Sequence, residues 1–233
     1  MLRYFRAPTP AEHERARIWA AGALAVLALI MVALLVQRPP RFDLTPPPLR
    51  ADLLPYFATH VGSCRGSLLA AGFQTRIVAD LNRTPQCGYR DVVELVQPAA
   101  AAPIQTSCAL AAGLALWRRD VVEPAAQRRF GQPLATIDPL GGAYACRRIG
   151  GRTDGHWSEH AHANAIDIGG FTLADGRTIT VLRSWRTPSD ESAFLHDIRN
   201  GGCRIFQGVL SPDYNRAHAN HLHLDMGAYK VCR

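Results

Sequence analysis

A run of uncharged residues, 18–36, constrains this chain more than any other feature, because its length and polarity are typical of a membrane-spanning helix. About 20 apolar residues in a helix cross the ~30 Å hydrocarbon core of a bilayer. Four arginines precede the run and two follow it within residues 1–41, which favours a cytoplasmic N-terminus. The alternative is a cleavable signal peptide, whose apolar core is usually only about 7–15 residues long. The longer run, followed by Gln37-Arg38-Pro39-Pro40 without an Ala-x-Ala-like site, predicts an uncleaved anchor.

This anchor divides the chain into four predicted parts. They are a cytoplasmic tail (1–17), a transmembrane anchor (18–36), a Pro-rich linker (37–50) and an exported domain (51–233). The expected location is the inner membrane, crossed once, with the C-terminal domain in the periplasm. The lipid bilayer is then a partner through the N-terminal helix.

The net charge of +7 does not indicate a nucleic-acid-binding surface. Residues 1–41 hold six arginines against two glutamates, whereas the other 192 residues hold 20 basic and 17 acidic side chains. Most of the excess therefore flanks the apolar run, and the exported domain lacks a strong basic footprint. We expect no nucleic-acid partner.

The six cysteines support export independently. All of them follow the apolar run, and none forms a Cys-x-x-Cys pair. An even number of widely spaced cysteines after an export signal indicates three disulfides in an oxidising compartment. Six scattered buried thiols are the alternative.

Periodicity and turn residues predict an α+β domain, with helices first and a mostly antiparallel sheet behind them. Helices are expected over residues 51–70 (interrupted near Gly62), 107–119, 124–130 and 188–200. Strands are expected over residues 143–149, 165–168, 171–173, 178–182, 208–210 and 221–225. Asp175-Gly176 predicts a hairpin turn.

Two histidine clusters carry the chemistry. The first contains His160, His162 and Asp167, and the second contains His218, His221, His223 and Asp225. Alternate residues of a strand share a face, so His221, His223 and Asp225 can point the same way.

The odd separation of His160 and Asp167 needs a turn through Ala163-Asn164 to bring both to one ion. Two imidazoles and one carboxylate leave a tetrahedral zinc with an open fourth position, which is the form of a catalytic site. Chance clustering is one alternative, and iron is the rival metal.

The motif Ser158-Glu-His160-Ala-His-Ala163-Asn-Ala-Ile-Asp167 resembles the Ser-x-His-x-x-Gly-x-Ala-x-Asp motif of the D-alanyl-D-alanine metallopeptidases. That superfamily includes the murein endopeptidases, the vancomycin-resistance dipeptidases and the hedgehog signalling domain. Ala163 stands where its glycine usually lies, and Asn220 stands where the vancomycin-resistance branch has a glutamate. The closing His218-x-x-His221-x-His223 resembles the murein endopeptidases. More closely, the residues from about 46 to 233 resemble the bacterial extensin-like C-terminal family. The matching pieces are Cys87-Gly88, Tyr144-Ala-Cys146-Arg147, Ser158-Glu-His160-Ala, Asn164-Ala-Ile-Asp167, Asn220-His221-Leu-His223-Leu-Asp225 and Cys232-Arg233.

The resemblance implies a role for particular residues. His160, Asp167 and His223 become the zinc ligands, and His221 becomes the catalytic base or proton shuttle. Arg147 lies where relatives place an arginine that contacts substrate or the developing oxyanion. Together with proximity in sequence, the resemblance also implies the disulfides Cys64–Cys87, Cys108–Cys146 and Cys203–Cys232.

Two functions follow as expectations. The first is a zinc metallopeptidase that hydrolyses peptide bonds of peptidoglycan stems or cross-links, with peptidoglycan peptides as its partner. The second is a non-catalytic, metal-dependent protein that binds the cell wall. Other hydrolase motifs, His-Glu-x-x-His and Gly-x-Ser-x-Gly, do not occur in the sequence.

Overall fold

A computed structural model describes residues 9–36, 45–96 and 103–233, with the backbone alone for residues 33–36. It divides into two compact units, Met1–Thr45 and Pro46–Arg233. The predicted tail and linker fall partly outside the described residues, and the four-part division of the chain stays a prediction.

The first unit contains a single described helix, α1 (Pro10–Val36). Within the described residues it is the one helix that is long and apolar enough to cross a membrane, over Pro10–Val32. Its large apolar side chains, such as Trp19 and Leu24, are exposed. An apolar surface of this kind fits a membrane anchor and a signal sequence alike.

The second unit is an α+β domain, as the sequence predicts. Its helices are α2 (Leu54–Phe57), α3 (Val61–Ala70), α4 (Cys108–Trp117), α5 (Glu123–Phe130), α6 (Val181–Ser184) and α7 (Asp190–Gly202). Its first strands are β1 (Gln74–Ile77), β2 (Leu81–Thr84), β3 (Cys87–Tyr89), β4 (Val92–Val96) and β5 (Ile104–Ser107). The later strands are β6 (Leu134–Pro139), β7 (Ala165–Leu173), β8 (Thr178–Thr180), β9 (Gly208–Leu210), β10 (Leu222–Asp225) and β11 (Val231–Cys232).

The described strands form three sheets. A three-stranded sheet has the order β1-β4-β5, and β2 pairs with β3 in a separate hairpin. The larger sheet has the order β11-β9-β10-β7-β6, with β8 also paired to β7. Pairing is antiparallel except between β11 and β9. Strands β7 and β10 lie side by side in the larger sheet, and both carry residues of the predicted site.

Helix α4 lies in the core, and every one of its residues is buried. Ser107 caps its start by accepting the N–H of Leu110 at 3.3 Å. The sequence predicts a separate second helix near Pro124, but a π-helical turn over Arg118–Val122 joins α4 to α5. The wider turn accommodates Pro124, which has no N–H to donate to the preceding turn.

The core between α4, α7 and the larger sheet is aromatic. The ring of Trp117 lies 5.8 Å from that of Phe171 and 6.0 Å from that of Phe206. Its indole N–H donates to the buried carbonyl of Ile198 at 2.9 Å. These contacts fix the helices against the strands that carry the site.

Two features of the predicted topology are wrong. Strands β1–β5 all come before α4 in the chain, so the helices do not all come first. Residues 143–149 do not form a strand: they make one isolated bridge, between Arg148 and Trp157, and lead into a 3₁₀ turn, Ile149–Gly151. The missed strands are short, and β1 and β2 are mostly exposed, so they lack the buried apolar alternation that marks a strand.

The three disulfides form, but two of the predicted pairings are wrong. The bridges are Cys64–Cys108, Cys87–Cys146 and Cys203–Cys232, and only the last was expected. Helix α3 packs against α4, which places Cys64 opposite Cys108. Proximity in the fold therefore decides the pairing, and proximity in sequence does not.

Candidate metal centre

The three predicted ligands come together at one point of the larger sheet. Asp167 on β7 and His223 on β10 are directly paired across the antiparallel ladder, so their side chains share a face. His160 reaches them from a 3₁₀ turn, Glu159–His162, that precedes β7. One donor atom from each residue lies within 4.8 Å of the others. Among the described residues, this is the group of three metal-ligating side chains that lie close enough to hold one ion.

The turn that delivers His160 depends on an unusual backbone at Ala163. This residue has a left-handed conformation (φ 53°, ψ 32°), which costs a residue other than glycine about 1–2 kcal/mol. Its carbonyl accepts the hydroxyl of Thr106 at 2.6 Å and the N–H of Ser107 at 2.8 Å. These two bonds hold the alanine where the resembling motif has glycine, and so preserve the turn.

His160 is oriented by the loop before it. Its Nδ1 donates to the carbonyl of Ala143 at 3.1 Å, which leaves the Nε2 lone pair free. That Nε2 atom lies 3.3 Å from Asp167 Oδ1 and 3.3 Å from His223 Nδ1. Ala143 also lines a groove of about 600 Å³, together with Tyr89, Gln105, Asp138 and Tyr144 among others. The groove lies beside the loop that orients His160, and none of the three candidate ligands lines it.

The donor separations fit a tetrahedral zinc ion. Ligand atoms about 2.0–2.2 Å from zinc, at tetrahedral angles, lie about 3.3 Å from one another. The separations within the cluster are 3.3, 3.3 and 3.0 Å, the last between His223 Nδ1 and Asp167 Oδ1. His160 and His223 are buried, with exposed fractions of 2% and 9%. Two imidazoles and a carboxylate are also ligands that zinc prefers, so both chemistry and spacing fit.

The same cluster shifts the pKa values of its members. Burial opposes ionisation of Asp167, but its contacts with His160 and His223 outweigh burial and hold the pKa of this carboxyl far below its usual range. Burial also disfavours the charged form of His223. Its hydrogen bonds to Asp167 and Asp225 nevertheless raise its pKa to about 9. Without a metal, His223 therefore carries a proton on each nitrogen at neutral pH.

His221 stands beside the three ligands. Its Nε2 atom lies 3.5 Å from Asp167 Oδ1, and its Nδ1 contacts the side-chain oxygen of Asn220 at 2.9 Å. Burial lowers its pKa, and neighbouring His223 adds to this effect. The ring of His218 lies 5.0 Å from that of His221, and burial lowers the pKa of His218 to about 4. Both rings are therefore neutral near pH 7.

The remaining predicted residues lie further out. Arg147 is exposed, and its positive charge contributes to the lowered pKa values of His218 and His221. His162 is exposed and contacts the carbonyl of Gly88 at 3.3 Å. His196 lies on α7 with its ring 4.1 Å from that of Trp185, away from the cluster.

Sequence reasoning missed one group that touches the cluster directly. The sequence puts Asp225 on the same strand face as His223 but indicates no role for it. In the structure, its Oδ2 atom lies 3.1 Å from His223 Nε2. The period of two along β10 is the signal that indicates this contact.

Comparison with known proteins gives one match. The family described as "Extensin-like protein C-terminus" matches residues 62–233. The comparisons with curated proteins and with solved structures gave no match.

Proposed function

The chain belongs to the extensin-like C-terminal family, and we propose that its buried His–Asp–His cluster makes it a zinc metallopeptidase that hydrolyses peptide bonds of peptidoglycan. We further propose that the family lies within the D-alanyl-D-alanine metallopeptidase superfamily. The observation that carries the proposal is the donor spacing of 3.0–3.3 Å around one point.

In this proposal His160 Nε2, Asp167 and His223 Nδ1 hold the zinc ion. A zinc ion with three protein ligands supplies a Lewis acid and lowers the pKa of a bound water toward about 7. The protein's own contribution is to present two nitrogens and one oxygen at the right separation, in a site that excludes most solvent.

His221 is the proposed general base. Because its Nδ1 faces the acceptor oxygen of Asn220, its proton lies on Nδ1 and its Nε2 lone pair faces the cluster. Burial lowers its pKa, so the ring is neutral and able to accept a proton at Nε2 at neutral pH. The ring can then pass the proton that it takes from the attacking water to the leaving amine.

Arg147 is the proposed substrate contact. Its guanidinium is exposed and close enough to act on His218 and His221 electrostatically. A positive charge at that point favours a substrate carboxylate or a developing oxyanion. The groove of about 600 Å³ beside Ala143 gives an extended peptide space to approach.

Export is part of the proposal. Helix α1 serves as a single inner-membrane anchor, and Pro46–Arg233 lies in the periplasm, where disulfides persist. Peptidoglycan, in which short peptides cross-link glycan strands, is the proposed substrate in that compartment.

The second candidate is a metal-dependent wall-binding protein without catalysis. Asn220 favours it, since in the vancomycin-resistance branch of the resembling superfamily a glutamate stands three residues before the last ligand. An amide cannot transfer protons as a carboxylate does.

Purified muropeptides distinguish the two candidates. The full chain in detergent should release new peptide termini from them, detected by mass spectrometry. A chelator should abolish the release and added zinc should restore it. His160→Ala should be inactive, whereas His162→Ala, which removes a neighbouring exposed histidine, should cleave like the wild type. Zinc-dependent binding of muropeptides without cleavage would establish the second candidate instead.

A further inference from the structure

Asp225 is held at both of its carboxylate oxygens. Oδ2 lies 3.1 Å from His223 Nε2, and Oδ1 accepts the backbone N–H of Gly227 at 2.8 Å. The side chain is 14% exposed, so both contacts are largely shielded from water. A carboxylate fixed in this way presents an acceptor to one particular nitrogen of His223.

Two glycines leave room for this carboxylate. Gly208 lies opposite Asp225 in the β9–β10 ladder, and a Cβ atom there would approach Asp225 Oδ2 to 1.9 Å. A Cβ atom on Gly227 would lie 3.0 Å from Oδ1. Neither glycine has a positive φ, so backbone conformation does not require glycine at these positions. Glycine is required because the carboxylate of Asp225 occupies the space that a side chain would fill at these positions.

We propose that Asp225 is the positioning residue of the metal centre, which fixes His223 with a proton on Nε2 and a lone pair on Nδ1. Nδ1 is the nitrogen that faces the other donors, at 3.0 Å from Asp167 Oδ1 and 3.3 Å from His160 Nε2. An acceptor at Nε2 holds the ring and raises the basicity of the ligating nitrogen. The inference rests on the proposed zinc site and adds a residue to it.

The replacement Asp225→Asn tests the proton position, because asparagine has the same shape but only one acceptor oxygen. Gly227 N–H needs that oxygen, so the amide group turns its N–H toward His223 Nε2. His223 must then accept at Nε2 and carry its proton on Nδ1, which is the nitrogen needed for zinc. Asp225→Ala removes the acceptor but imposes no such tautomer. The isosteric variant should therefore bind zinc no more tightly than the alanine variant.

Zinc affinity of the full chain in detergent, measured by competition with a chromophoric chelator, is the primary readout. Both Asp225 variants should bind zinc about 10–100-fold more weakly than the wild type. Asp138→Asn is the matched control. Asp138 is a half-buried carboxylate of the same sheet that accepts the hydroxyls of Thr136 and Thr172 at 2.7 and 2.9 Å. This control should bind zinc like the wild type.

A second readout reports the proton itself. In zinc-loaded protein labelled with ¹⁵N-histidine, the wild type should show a hydrogen-bonded proton on His223 Nε2, and Asp225→Asn should lack it. Circular dichroism with chelator present checks that each variant is folded.

Wild-type zinc affinity in Asp225→Asn, or an asparagine variant that binds more tightly than the alanine variant, overturns the inference and leaves the proposed zinc site intact. A wild type that binds no zinc overturns the proposed function and this inference together.

Discussion

Raising the pH should destabilise the metal-free protein, because folded His223 holds a proton that the unfolded chain releases earlier. Burial alone would lower its pKa, but hydrogen bonds to Asp167 and Asp225 raise it from 6.5 to about 9. The resulting stabilisation is complete below pH 6.5 and is lost as the pH rises through 9. A shift of that size corresponds to about 3 kcal/mol, and the side chain is only 11% exposed, so solvent screens it little.

Below pH 6.5, lowering the pH should instead destabilise the metal-free protein. Burial lowers the pKa of His218 to about 4 and also lowers that of His221. The unfolded chain binds these protons more readily, so acid favours unfolding. The free energy of unfolding of the metal-free protein should therefore pass through a maximum near pH 6.5.

Urea unfolding of the full chain in detergent, followed by far-ultraviolet circular dichroism from pH 6.5 to 9.5, measures this dependence. With chelator present, the free energy of unfolding should fall by about 3 kcal/mol over that range. Excess zinc should remove the decline, because the metal replaces the proton on Nδ1. His223→Ala should also remove it. A metal-free wild type whose stability stays constant or rises between pH 6.5 and 9 would refute the reasoning.

Three further outcomes are expected. His221→Ala should keep its zinc and lose hydrolysis by about 10²–10⁴-fold, whereas a variant that loses its zinc would make His221 a ligand. Non-reducing peptide mapping should recover Cys64 joined to Cys108, and replacing both by serine should cost about 2–4 kcal/mol of unfolding free energy; a peptide joining Cys64 to Cys87 would contradict the fold. A reporter enzyme active only outside the cytoplasm, fused after Arg233, should be active, and an inactive but well-expressed fusion would overturn the proposed topology.

Local patterns predicted the elements around the site. The predicted helix over residues 188–200 is α7 (Asp190–Gly202), which Ser189 caps, and Asp175-Gly176 predicted the turn between β7 and β8. The strands β9 and β10 were also expected, over residues 208–210 and 221–225. The turn predicted through Ala163-Asn164 also forms at Ala163, and it brings His160 within 3.3 Å of Asp167.

Features that depend on tertiary packing were not predictable in the same way. The pairing of Cys64 with Cys108 follows from the packing of α3 on α4, which no spacing in the sequence encodes. Strand β1 is a stretch of exposed and half-exposed residues, so its sequence pattern does not indicate a strand. It is extended because it pairs with β4. The contact between Asp225 and His223 needed coordinates, because a shared face does not specify which nitrogen is bound.

Metal analysis of purified variants tests the central claim most directly. The wild type and His162→Ala should each contain one zinc per chain, while His160→Ala, Asp167→Ala and His223→Ala should contain none. His160→Ala is decisive, because the ring is buried and its Nε2 atom lies 3.3 Å from both other donors. Zinc retained at one per chain in all three ligand variants would place the metal elsewhere and contradict the account.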